Sequence, residues 1–168
     1  MKNNLKFHIY AVDDEIYYSR LLKATLNNIG FTDVTLFESG EECLEAIVRK
    51  KPDCVVLDYI IKGGMSGEKI LEKIKLLNPN IKVIILSGQN DIEVATATKL
   101  KGASNFITKD KMGLFLLGNT LNELRYIKEQ DSAINKLKRK YYYLKISYIM
   151  SISITALILT IKYIIQYM

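Results

Sequence analysis

Between Phe7 and Ile107 the chain alternates short apolar runs with longer stretches of helical period. The runs Phe7–Val12, Val34–Phe37, Cys54–Leu57, Val83–Leu86 and Asn105–Ile107 predict strands. Three of them are largely apolar on both faces, as strands buried inside a parallel sheet are. Between them, Tyr17–Ile29 sets Leu21, Leu22, Thr25, Leu26 and Ile29 on one helical face and stops at Gly30. Ser39–Lys50 opens with a Ser39/Glu42 capping pair, Ser66–Leu77 carries Ile70, Leu71 and Ile74 on one stripe, and Asp91–Lys101 stops at Gly102. Pro52 and Pro79 each fall just before a strand, where they interrupt no ladder. Five β-α units at this spacing predict an α/β fold, a doubly wound five-stranded parallel sheet with helices on both faces.

After Met112 the period becomes that of one long helix, with Leu114, Leu117, Leu121, Leu124, Ile127, Ile134 and Leu137 at mostly three- or four-residue steps. No Pro or Gly follows Gly118, so this helix is expected to continue into residues 146–161, which carry no charge. The apolar stretch is long enough to span a hydrocarbon core of about 30 Å at about 1.5 Å per residue. Tyr141–Tyr143 lie at one end and Tyr163 and Tyr167 at the other, in the manner of two interfacial belts. Ser147, Ser151, Thr155, Lys162 and Gln166 share a weakly polar stripe, so a helix lying on the membrane or packed on a protein is the rival reading. The expected organisation is a domain over 1–128, a basic helical linker over 129–145 and a transmembrane or membrane-associated helix over 146–168.

Charge sharpens that division. The 168 residues hold 24 Lys+Arg and 18 Asp+Glu, a formal charge of +6. Lys136, Lys138, Arg139, Lys140, Lys145 and Lys162 account for all of it, because residues 136–168 contain no acid and the remainder sums to zero. The cations lie mainly before the apolar stretch. The positive-inside bias therefore predicts a single C-terminal anchor, with the N-terminus and the domain on the cytoplasmic side. The basic run suits a juxtamembrane segment better than a nucleic-acid contact. Ser147, Ser151 and Thr155 at four-residue spacing would let two such helices approach, which makes a homodimer a further expectation. The N-terminus has too short an apolar run for a secretory signal. The two Cys and single His fit neither a disulfide scaffold nor a zinc site, so Cys43, Cys54 and His8 are expected to be structural.

In an open α/β sheet, ligands bind beyond the carboxyl ends of the strands. There the sequence places Asp13-Asp14 after the first strand, Asp58 after the third, Ser87-Gly88 after the fourth and Thr108-Lys109 after the fifth. Each has an ordinary reading as a cap, turn or surface residue, but their joint placement at four strand ends is not ordinary. Three close carboxylates repel and call for a cation, and oxygen-only donors suit Mg²⁺. A carboxylate can itself accept a phosphoryl group, with a metal, an ammonium and a hydroxyl offsetting the charge that develops.

These residues resemble those of the response-regulator receiver family, with its chemotaxis-regulator-like (CheY-like, flavodoxin-like) fold. The resemblance covers about residues 5–128 and rests on Asp13-Asp14, on PDCVVLD ending at Asp58, on LSG with Ser87, and on GASNFITK with Phe106 and Lys109. It implies a two-component phosphorelay protein that is not an enzyme and accepts a phosphoryl group on Asp58 from a sensor histidine kinase or phosphotransfer protein. It implies Mg²⁺ held by Asp13, Asp14, Asp58 and the backbone carbonyl of Ile60, with Ser87 and Lys109 meeting the phosphoryl group. It further implies a switch through Ser87 and Phe106 that changes contacts with a downstream protein. Two departures stand out: Asp110 follows Lys109 where the family usually has Pro, and the loop YIIKGGMSG lacks the usual Pro. A trans Lys109–Asp110 bond is therefore expected. The tail is too short for a helix-turn-helix module, so no DNA-binding output and no nucleic-acid partner are expected. The alternative is a receiver-like module, never phosphorylated, that docks to a membrane protein.

Overall fold

The computed structural model describes residues 6–88 and 91–167. The start of the N-terminal segment weighed above as a signal, and Met168 at the end of the tail, lie outside the described residues. Five strands, β1 (Ile9–Val12), β2 (Val34–Phe37), β3 (Cys54–Asp58), β4 (Lys82–Ser87) and β5 (Asn105–Thr108), form one parallel sheet in the order β2-β1-β3-β4-β5. The intervening helices are α1 (Ile16–Asn28), α2 (Gly40–Arg49), α3 (Gly67–Leu77) and α4 (Ile92–Leu100), and α5 runs from Lys111 to Tyr167. This is the CheY-like receiver architecture, and every element lies within a few residues of the position its periodicity predicts.

The central strands are buried along their whole length, which explains their unbroken apolar runs. One face, with Tyr10, Val12, Val55, Leu57, Val83 and Ile85, packs on Cys43 and Ile47 of α2 and on Ile70, Leu71 and Ile74 of α3. The alternate residues Ile9, Ala11, Val56, Ile84 and Leu86 are equally buried. Leu22 and Leu26 of α1 and Leu117 and Leu121 of α5 are buried as well. On α1 the buried stripe is Ser19, Leu22 and Leu26, whereas Leu21 and Ile29 are exposed. The apolar face expected there is thus narrower, because α1 meets the sheet on its i, i+3, i+7 line alone.

Ser39 caps α2 by accepting the Glu42 amide at 3.3 Å. Both thiols are in the core, and burial pushes Cys43 up to about 12 and Cys54 upward as well. His8 is buried near the start of β1, its Nδ1 2.8 Å from Asp33. The chain divides into two compact units, Met1–Glu123 and Leu124–Met168. In the second, every side chain from Ala133 to Tyr167 is exposed. The helix there is long and apolar enough to cross a membrane by length and composition.

Candidate functional site

Parallel pairing puts all strand carboxyl ends at one edge, and the register aligns them. Val12 lies beside Leu57, Asp58 beside Leu86, and Ser87 beside Thr108. The residues just after these pairs converge. One carboxylate oxygen from each of Asp13, Asp14 and Asp58 lies within 4.8 Å of the others. Asp13 and Asp58 are buried and Asp14 is half-buried.

Lys109 reaches into this cluster. Its Nζ is 2.7 Å from Asp13 Oδ2 and 2.7 Å from Asp58 Oδ2. Burial alone would push the ammonium down, but its hydrogen bonds to Asp13 and Asp58 outweigh that and hold it above the usual lysine range. Asp58 is raised above the usual carboxylate range, chiefly by burial and in part by Asp13, with Lys109 opposing. One ammonium set against three carboxylates leaves an excess of negative charge that a divalent cation offsets. The donors are hard oxygens throughout, so the residues present fit Mg²⁺ rather than a softer metal.

The backbone fixes these side chains. The Ile60 amide donates to Asp58 Oδ1 at 3.2 Å, and the Glu15 amide donates to Asp13 Oδ1 at 2.9 Å. The Lys109 amide donates to the Ser87 carbonyl at 2.7 Å, which ties the β4 and β5 ends together. Ser87 is buried, and Phe106 is partly buried against the apolar core. Gly67 opens α3 so close to the Asp58 and Tyr59 backbone that a Cβ there would overlap it. The loop between Asp58 and α3 is held by the Met65 amide, which donates to Glu41 Oε1 at 3.1 Å.

Of the sequence-predicted site residues, Asp13, Asp14, Asp58 and Lys109 meet through side chains, while Ser87 is buried at the end of β4 and joined to Lys109 through its backbone carbonyl. Ile60 contributes backbone and exposes its side chain, while Phe106 lines the neighbouring core. The peptide bonds of the described residues are all trans, Lys109–Asp110 included. What Asp110 does there was not legible beforehand. Its carboxylate caps α5, accepting from the Gly113 amide at 2.6 Å and from the Thr108 hydroxyl at 2.9 Å. Asp110 sits directly before a helix and three residues ahead of Gly113, a capping signal in its own right.

Tyr18 was also missed. The Lys109 ammonium lies 4.7 Å from the centroid of its ring. Its hydroxyl is buried without a hydrogen-bond partner among the described residues. Burial, and then the charges of Asp13, Asp58, Asp110 and Glu15, push that hydroxyl up to about 12. The available signal was position: Tyr18 follows the acidic pair by four residues, inside the first turn of α1.

Comparison with known proteins agrees with this geometry. The family model described as "Response regulator receiver domain" matches residues 9–114. The DNA-binding transcriptional regulator NtrC of Escherichia coli K12 is 36% identical over 101 residues, 60% of this chain and 21% of that protein. The transcriptional regulatory protein FixJ of Bradyrhizobium diazoefficiens is 31% identical over 104 residues, covering 62% of this chain and 50% of FixJ. The chain therefore spans between about a fifth and a half of these relatives. The crystal structure of the receiver domain of NtrX from Brucella abortus superposes with a TM-score of 0.62 at 30% identity, covering 68% of this chain and 98% of that one. The receiver domain of the LuxO repressor protein from Vibrio parahaemolyticus gives 0.67 at 26% identity, over 76% and 96%.

Proposed function

The chain belongs to the response regulator receiver family of two-component systems, and on that premise we propose that it is a phosphoryl acceptor working through Asp58. Proteins of this family take their signal from sensor histidine kinases or phosphotransfer proteins and generally bind Mg²⁺ at the acidic pocket. The observation that carries the reading is the Lys109 ammonium, 2.7 Å from both Asp13 and Asp58 within a three-carboxylate pocket.

In the proposed step an Asp58 carboxylate oxygen attacks the phosphorus of a phosphohistidine. An O–P bond forms as the N–P bond breaks, and the released electron pair returns to the imidazole nitrogen. Lys109 transfers its contact from Asp58 to a phosphoryl oxygen, and the Ser87 hydroxyl turns toward another. Asp13, Asp14, Asp58 and the Ile60 carbonyl would hold Mg²⁺, which when bound neutralises charge on the phosphoryl oxygens. The Ile60 and Glu15 amides keep Asp58 and Asp13 oriented throughout. Phe106 follows Ser87 inward, and the altered surface changes the contact made with a downstream protein. The protein acts as an acceptor rather than an enzyme, and residues 146–168 tether it to the cytoplasmic side of the membrane. The uncharged helix over 146–161, with every side chain exposed, supports that tether.

The test is incubation of the full chain with Mg²⁺ and acetyl phosphate, read by mass spectrometry. One added phosphoryl mass is expected, absent in Asp58→Asn and absent in EDTA. Ser87→Ala is expected to keep some labelling but blunt the conformational response. Labelling that survives Asp58→Asn would overturn the assignment, and a native chain that never labels would favour the unphosphorylated docking module.

A further inference from the structure

The geometry points to residues 136–145 as a collar that binds the anionic headgroups of a bilayer around the point where α5 enters it; this rests on the membrane-tether reading above. Residues 132–168 contain no acidic side chain, whereas Lys136, Lys138, Arg139, Lys140 and Lys145 fall within ten residues. All five side chains are exposed on a continuous helix.

Their placement around the helix identifies the partner. At about 100° per residue, Lys136 and Lys140 lie on one side, Lys138 and Lys145 on the opposite side, and Arg139 between. A helix laid along a nucleic-acid groove or an acidic protein meets its partner from one side and needs its cations on one stripe. A helix entering a bilayer end-on meets headgroups on every side. Tyr141, Tyr142 and Tyr143 are consecutive and exposed, and likewise spread around the circumference. They form an aromatic ring at the level where amphipathic rings settle in a membrane. Lys145 lies one turn deeper, and helical side chains lean toward the N-terminus, so its stem carries the ammonium back to the tyrosine level. At the far end stands a single cation, Lys162.

Anionic lipid is therefore recognised on one leaflet, through phosphate contacts made by several cations together. Each is worth about fivefold in partitioning at low salt (about 1 kcal/mol). The collar also distinguishes membranes. A neutral bilayer satisfies the apolar segment as well as an acidic one does, but leaves these cations without counter-charge.

The experiment uses the full-length chain diluted out of detergent into an equal mixture of two vesicle populations separable by density. One is phosphatidylcholine; the other is phosphatidylcholine with phosphatidylglycerol. Capture is expected to favour the acidic vesicles at least tenfold. The quintuple variant Lys136→Gln, Lys138→Gln, Arg139→Gln, Lys140→Gln, Lys145→Gln should insert into both populations alike. High salt, which shortens the screening length to about 3 Å at 1 M, should likewise bring the native chain to parity. Equal capture of the native chain at low salt would overturn the collar while leaving the tether intact. Capture by neither population would overturn the tether and the collar with it. A short DNA duplex that displaces the native chain from acidic vesicles, but not the variant, would reassign these cations to nucleic acid.

Discussion

The two units of this chain are built on opposite terms. In Met1–Glu123 the decisive side chains are withdrawn from water and held against one another, Lys109 between Asp13 and Asp58 being the clearest case. In Leu124–Met168 every described side chain after Ser132 is exposed, and apolar and cationic groups stand open together. The first unit pairs its site charges with one another, so its chemistry can be read from distances. In the second both apolar surface and charge are exposed, so it can be read only from what each group requires. A helix with this much uncovered apolar surface has no counterpart in the other unit, where exposed apolar residues are scattered.

The largest expected effect separates the units outright. A chain stopped at Lys140 should leave the membrane pellet after an alkaline carbonate wash, while the full-length chain stays. Both should label equally at Asp58. Release of the full-length chain by carbonate would replace the spanning reading with a surface-lying helix, and loss of labelling on truncation would end the independence of the units. Next comes Gly113→Ala. A Cβ at this position would overlap the Thr108 carbonyl, forcing α5 away from the strand end that carries Lys109. A loss of about 3 kcal/mol in denaturant unfolding is expected, with slower labelling and unchanged membrane retention.

Most of the first unit was legible because its strands are short, apolar and punctuated by Gly, Pro and capping residues, as Gly30, Pro52 and Ser39 illustrate. The strand-end residues were legible too, since parallel pairing sends every carboxyl end to one edge. Tyr18 was not. A ring packed on an ammonium depends on side-chain directions from two elements far apart in sequence, and no periodicity encodes that. Asp110 was read only as a missing proline, because a cap is visible once the helix boundary is known. Leu21 and Ile29 share the apolar face of the first helical stretch yet are exposed, because an apolar stripe does not reveal how wide a contact the sheet offers.

Those missed residues supply the smaller tests. Tyr18→Leu removes the ring beneath the Lys109 ammonium and should slow labelling a few-fold, as loss of one cation–π contact implies. Tyr18→Phe keeps the ring and should behave almost as the native chain. An equal defect in both would transfer the role to the hydroxyl. The smallest effect is expected at Asp110. The Gly113 amide, then the Thr108 hydroxyl and the Met112 amide, hold its carboxyl below the usual range. A folded-state value that is depressed means the stability it contributes is present above the ordinary carboxylate pKa and is lost as pH falls through the lowered value. Asp110→Ala should thus lower the melting temperature by a few degrees at pH 6, and the gap to the native chain should close below about pH 4. Asp110→Asn, which retains an acceptor, should lack that pH dependence.

The buried thiols have a consequence for how the exposed helix can be mapped. Cys43 and Cys54 are the chain's two cysteines, both sealed in the core and both held protonated at neutral pH. A maleimide therefore meets a silent background in the folded native protein. A single cysteine introduced at successive positions from Ala133 to Tyr167 would be the one reactive thiol in each case. Its labelling from either side of a sealed vesicle would show, residue by residue, which positions stay in water and which, if any, a bilayer shields.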